Sequence, residues 1–197
     1  MARNLAADLD WCYPAGMCAH YTYKKNGAKL KLRQKIEVFG AVPRASIRPT
    51  DLGPVVVPEF EGLACREMRW GWSVPWEKKP VINAKSETIA QLPLFGPHLD
   101  HRCLLLADGF YEAGVRFFQP GEPVFCLAGL WREEADGKKY TMLTTAPNES
   151  VAKHHNRMPF IVKPADYDAW LGGDWQRVLS EPDRAPLEKF EKQPDLF

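Results

Sequence analysis

No stretch of the chain approaches the ~18 uninterrupted apolar residues that a membrane helix needs, which excludes a protein anchored by such helices. Nothing reads as a secretory signal either: residues 1–16 carry Arg3, Asp8 and Asp10 and lack an apolar centre. The five cysteines (Cys12, Cys18, Cys65, Cys103, Cys126) are odd in number and irregular in spacing, so a disulfide framework is excluded. They read as thiols of a reduced, cytoplasmic protein, with Cys65, Cys103 and Cys126 as small buried hydrophobes. Cys12, Cys18, His20, His98, His101 and Cys103 have metal-ligating side chains but lack the tight paired spacing of structural zinc, so no metal is expected. A phosphate-binding Walker loop, a dinucleotide fingerprint and an H-E-x-x-H helix are all missing, and no cofactor is expected. Internal repeats and low-complexity tracts are absent too.

What is present is an ordinary globular composition, 45% hydrophobic and 26% charged over 197 residues, enough for one real core. The 17 prolines and 14 glycines interrupt the chain too often for long helices. A net charge of +1 hides an asymmetry: residues 1–50 hold nine Lys/Arg against three Asp/Glu, and the segment from Pro164 holds four against eight. A bulk polyanion binder would be basic throughout, whereas local contact with a phosphate backbone by the N-terminal half fits this pattern.

Short apolar runs dominate. Residues 18–23, 54–57, 68–72, 103–107, 124–130, 140–145 and 160–162 read as strands. Lys29 to Phe39 reads as an amphipathic helix, Asn83 to Thr88 leads into a weak one, and Asn148 to Lys153 forms a short one. A helix from Asp166 to Leu171 stops at Gly172-Gly173. The pattern predicts an α+β fold: a single domain around a curved, mostly antiparallel, barrel-like sheet with a few peripheral helices. Residues 1–16 read as an appendage or mis-assigned start, 17–175 as the domain and 176–197 as an acidic, solvated tail. Trp70, Trp72 and Trp131 are assigned to the core.

Four polar clusters stand at the edges of apolar runs: Cys18, Asn83 with Glu87, Glu112 and His155. A thiol, a carboxamide, a carboxylate and an imidazole make a covalent-catalysis set if the fold brings them together. Taken singly, each has an ordinary explanation as a turn former, a surface acid or a loop histidine. The Cys-then-His order also admits a papain-like thiol hydrolase, although the local signature of such a cysteine is absent.

Seven segments, taken in order, resemble the SOS response-associated peptidase (SRAP) family of abasic-site shielding proteins. They are Met17-Cys18, Trp70-Gly71-Trp72, Ile82 to Thr88, Ala107 to Glu112, Ala128 to Trp131, Leu143 to Ala146 and His155 to Pro159. The resemblance implies that Cys18, as the first residue of a mature chain, condenses with the aldehyde of an abasic site in DNA. Its amine forms a Schiff base and its thiol then closes a thiazolidine ring. It further implies that Glu112 moves protons, that Asn83 hydrogen-bonds the opened sugar, and that His155 acts as acid or base. Trp76 takes the place of an aromatic wedge, flanked by Lys78, Lys79, Lys85 and Ser86, while Arg157 meets a phosphate. The implied partner is single-stranded DNA or a single-strand/duplex junction, bound by a monomer, and the implied activities include autopeptidase and abasic-site lyase. Two positions depart from the family: His20 stands for an arginine, and Ser46 for an asparagine, with Arg48 nearby to compensate. A third departure is the leader, because an internal Cys18 has an amide nitrogen and cannot form the ring. Translation from Met17, cleavage after Met17, or loss of the chemistry are the three resolutions. A thiol (auto)peptidase and a non-catalytic DNA-binding module remain the alternatives.

Overall fold

The computed structural model describes residues 18–24 and 44–190. The expected helix over 29–39 and the leader lie outside the described residues. The described chain is an α+β fold of mostly antiparallel strands with short helices at its edges.

Five strands close on themselves to form a barrel. They are β3 (Leu52–Glu59), β4 (Gly62–Trp70), β8 (Arg102–Ala107), β11 (Phe125–Glu134) and β12 (Gly137–Thr145). Pairing runs β4–β3–β8–β11–β12, and β12 returns to β4 in parallel through Lys139↔Arg69 and Tyr140↔Trp70. Closure explains the sequence of β8: Arg-Cys-Leu-Leu-Leu-Ala is buried at every position. One face of β8 fills the barrel. The other is covered by α2 (Tyr167–Gly172), whose Trp170 indole donates to the Cys103 carbonyl at 2.8 Å. A strand buried on both faces shows a continuous apolar run rather than alternation.

After Trp70 the chain leaves the barrel and returns as β7 (Asn83–Lys85), which also pairs in parallel with β12, Met142 opposite Asn83. The excursion is a small hairpin, β5 (Trp72–Val74) and β6 (Glu77–Val81), turning at Pro75-Trp76. A second sheet is ordered β15–β10–β9–β1–β2. Its strands are β1 (Tyr21–Tyr23), β2 (Arg44–Ile47), β9 (Gly109–Glu112), β10 (Val115–Phe118) and β15 (Glu188–Phe190). Tyr21 joins the two sheets: its hydroxyl shares a 2.6 Å hydrogen bond with that of Tyr140, and its ring meets the edge of Trp70. Two more short strands, β13 (Met158–Pro159) and β14 (Ile161–Val162), and helices α1 (Glu149–Ala152) and α3 (Trp175–Ser180) complete the chain.

Several expectations change. Residues after Lys85 form turns and a short 3-10 segment at Gly96–His98 instead of a weak helix, because Ser86 N–H still bonds Thr144 and Pro93 and Pro97 interrupt any longer helix. Trp131 and Cys65 are half-buried, not core. Trp131 stacks on His101 at 4.6 Å, since its strand faces outward there. The acidic C-terminal segment is not a solvated tail up to Phe190. Leu187 is buried, Asn148 donates to the Ala185 carbonyl, and β15 pairs with β10. No helix among the described residues is long and apolar enough to cross a membrane.

The β9–β10 connection is a two-residue turn, Ala113-Gly114, with φ of 49° and 81°. Both values lie in the left-handed region, as a type I′ turn requires, and Ala113 bears a Cβ penalty there. Ala113→Gly is therefore expected to stabilise the protein by about 0.5–1 kcal/mol in urea unfolding, after Gly's own entropic cost.

Candidate active site

The site lies where the barrel meets the second sheet. Cys18 precedes β1 and is fully buried. Its carbonyl accepts a 2.8 Å hydrogen bond from Asn83 Nδ2, reaching across from β7. Its thiol donates to the His20 carbonyl at 3.7 Å, and Glu112, at the end of β9, lies against both its thiol and its backbone N–H. His155 Nδ1 is 3.5 Å from Glu112 Oε2. The same nitrogen is 3.0 Å from the Arg157 carbonyl oxygen, so the short loop after α1 fixes the ring. Cys18, Asn83, Glu112 and His155, separated by up to 137 positions in sequence, thus come together.

The local folding reasons are specific. Asp108, just before β9, holds β1 in place. Its carboxylate accepts from Thr22 Oγ1, from the Lys24 backbone N–H and from Arg116 Nη2 at 2.9 Å. Gly109 permits this arrangement, since a Cβ there would lie 2.6 Å from the Arg116 guanidinium. Tyr111 N–H then donates to the His20 carbonyl, continuing the β1–β9 ladder towards Cys18. Sequence reasoning missed Asp108 and Arg116. The Asp-Gly pair preceding a strand was the available signal, and it was absorbed into a longer motif.

Electrostatically the site is dry. Burial pushes the Glu112 carboxyl up to about 8, against the opposing hydrogen bonds from Cys18. Burial also pushes the Cys18 thiol well up, aided by the Glu112 charge. Two acceptors, Glu112 Oε1 and Asn83 Oδ1, are buried without a hydrogen-bond partner.

The expected DNA-binding residues fall into two groups. Near Cys18, His20 stacks flat on Tyr111 at 4.1 Å and Ser46 Oγ is 3.0 Å from its Nε2. Burial, Arg48 and Lys24 hold the His20 imidazole below its ordinary pKa, so it is a weaker cation than arginine. Arg48 is exposed beside it. Trp76 is 50% exposed at the hairpin turn, with exposed Lys78 and Lys79 following it, so it is not core packing. Lys85 is half-buried and Ser86 is buried, its hydroxyl bonded to Glu87. Arg157 is engaged within the protein. Its guanidinium makes a bidentate pair with Glu87 at 2.7 and 2.8 Å and donates to the Thr144 carbonyl at 2.6 Å. A phosphate approaching Arg157 would share it with Glu87. Of the donors weighed for a metal, Cys12 lies outside the described residues, and among the described residues no three His, Cys, Asp or Glu gather.

The family model of the SOS response associated peptidases (SRAP) matches residues 17–193. The chain belongs to this family. It is similar to the abasic site processing protein YoaM of Bacillus subtilis (strain 168), 29% identical over 149 residues that span 66% of each chain. YoqW of the same organism gives the same figures, and YedK of Escherichia coli (strain K12) is 30% identical over 119 residues, 52% of each chain. The chain therefore spans just under two thirds of the length of its B. subtilis relatives. The fold is shared with a phage-related protein of Bordetella bronchiseptica (TM-score 0.74, 18% identity, covering 90% of this chain and 95% of that one). A second protein of that organism gives a TM-score of 0.69 at 24% identity, covering 87% and 98%.

Because Glu112 titrates at about 8 when folded but at an ordinary 4.5 when exposed, the native SRAP chain holds a proton that the unfolded chain has lost between those values. The share of stability that depends on Glu112 is thus fully present below about pH 4.5 and is lost as pH rises through 8. Glu112→Gln should flatten that slope in urea unfolding at pH 5, 6, 7 and 8; an unchanged slope would mean that the carboxyl is not the group responsible.

Proposed function

We propose that this protein processes abasic sites in DNA by forming a thiazolidine between Cys18, as the first residue of the mature chain, and the open-chain sugar aldehyde. The observation that carries the reading is that Cys18, Asn83, Glu112 and His155 come together, Asn83 Nδ2 holding the Cys18 carbonyl at 2.8 Å and His155 Nδ1 lying 3.5 Å from a Glu112 carboxyl that is buried against Cys18. A 1,2-aminothiol needs both atoms to reach one carbon, and both need a partner for proton transfer.

The chemistry balances. The α-amine, with a pKa of roughly 8, is substantially neutral near physiological pH and attacks the aldehyde carbon. The carbinol oxygen leaves as water with a proton from Glu112, and the carboxylate so formed takes back the remaining N–H proton, giving an imine. The Cys18 sulfur then adds to the imine carbon, and the thiol proton passes by way of Glu112 to the nitrogen. A carboxyl that titrates near 8 suits both directions of transfer at neutral pH. The unpaired Asn83 Oδ1 is available to a sugar hydroxyl, while its Nδ2 holds the Cys18 carbonyl. His155, beside Glu112, serves as acid or base on the sugar oxygen. Trp76 stacks on an exposed base, and the lysines after it, with Arg48 and Arg157, follow the phosphates of a single strand or junction. One chain supplies every group, so a monomer suffices.

A thiol peptidase attacking through a thiolate is less well supported. Such nucleophiles have depressed pKa values, and here burial and a neighbouring carboxylate act in the opposite sense. The B. subtilis and E. coli relatives are named abasic site processing proteins, which agrees with the DNA reading.

Protein beginning at Cys18, incubated with a single-stranded oligonucleotide containing one abasic site, should give a slow-migrating adduct in denaturing electrophoresis. Cys18→Ala and a chain retaining residues 1–17 should give none. Glu112→Gln should slow adduct formation by about 10²–10⁴-fold. An adduct from the Cys18→Ala protein would overturn the reading.

A further inference from the structure

The hairpin that carries Trp76 is joined to the barrel by a network of charged groups with no part in the chemistry of Cys18. The strand pairing of the hairpin is irregular between Trp72 and Val74, so the ladder shifts around Ser73. Charged groups of β11 and β12 take up every polar group of Ser73. Glu134 Oε1 accepts from its N–H at 3.0 Å, Arg132 Nη2 donates to its carbonyl at 2.5 Å, and Lys139 Nζ donates to its hydroxyl at 2.8 Å. These three are bound to one another: Glu134 meets Arg132 Nη2 at 2.8 Å and Lys139 Nζ at 2.9 Å. Their side chains are only 7–17% exposed. The Arg132 guanidinium also lies 4.6 Å from the centroid of the Trp72 ring, whose indole donates to the Lys139 carbonyl at 3.1 Å. Ser73 is itself exposed, yet each of its polar groups is held by a largely buried charged side chain, and it lies three residues before Trp76 at the turn of the hairpin.

We propose that Glu134, with Arg132 and Lys139, is a positioning cluster: it grips Ser73 and so sets the angle at which Trp76 is presented to a base. The inference rests on the DNA-binding reading above and deepens it by naming what orients the wedge. Nothing in the cluster touches DNA in this scheme. Holding the exposed indole in one direction means that its freedom is restricted before binding, and that cost is then absent from association.

The sign of one substitution separates this role from simple electrostatics. Glu134→Gln removes a negative charge close to a basic hairpin, and charge alone would tighten binding to DNA. The positioning role requires the opposite. The test measures the affinity of the full chain for a short, fluorescent, undamaged single-stranded oligonucleotide at fixed salt, so that it does not depend on adduct formation. Trp76→Ala is expected to weaken binding by about tenfold. Glu134→Gln is expected to weaken it several-fold, and the double variant to bind no more weakly than Trp76→Ala alone. Arg132→Lys, which keeps the charge and loses the fork, should behave like Glu134→Gln and guards against a folding defect in the first variant. Wild-type or tighter binding by Glu134→Gln, or additive losses in the double variant, would overturn the cluster while leaving the DNA reading intact. No effect of Trp76→Ala would overturn the cluster together with the stacking role, whereas the covalent chemistry stands or falls separately on the adduct assay.

Discussion

One buried carboxyl organises this protein. Glu112 is removed from water at the junction of two sheets, where it lies against Cys18 and 3.5 Å from His155 Nδ1. Leaving such a group charged in a dry setting is costly, and its pKa rises until it is poised near neutrality. The surrounding structure makes that position inescapable. The type I′ turn after Glu112 fixes where β9 ends, Asp108 anchors β1 alongside it, and the Tyr21–Tyr140 hydrogen bond ties the second sheet to the barrel. Asn83 enters from the barrel side because β12 exchanges one parallel partner, β4, for another, β7.

That exchange of partners has a second consequence. The residues between β4 and β7 must leave the barrel, and they do so as the hairpin bearing Trp76, Lys78 and Lys79. The strand order that delivers Asn83 to the pocket therefore also erects an exposed aromatic on the same connection. Gly71, at φ 112°, stands at the neck of the hairpin, where a Cβ would meet Pro80 at 2.7 Å. The groups proposed for chemistry are buried and those proposed for recognition are exposed, yet they share a connection of a dozen or so residues.

Much of this was legible in the residues. The apolar runs of β8 and β11 announced strands buried on both faces, and the α+β class followed from many short strands with few helices. Cys18, Asn83, Glu112 and His155 each stood at the edge of such a run, which is where a strand delivers a side chain to a pocket. Their convergence was not legible, since it depends on barrel closure and on parallel pairing between distant strands. The fate of Ser86 and Arg157 was hidden for a similar reason: their partner, Glu87, is next to one but seventy positions from the other. The helix expected after Lys85 failed because a backbone bond to Thr144 outweighed weak local propensity. The Ser73 cluster left no motif, because its charged residues look like an ordinary solvated face until β11 and β12 are seen to flank the hairpin.

The central claim concerns the bond formed by Cys18, and the mass of the trapped product tests it most directly. Protein with a free Cys18 amine, joined to an abasic oligonucleotide without any reductant, should have the summed mass of the two reactants less one water and should show no gain on borohydride treatment. A product that survives denaturation only after borohydride reduction would reveal a bare imine, and a product attached at any other residue would remove Cys18 from the account. Either result would contradict it.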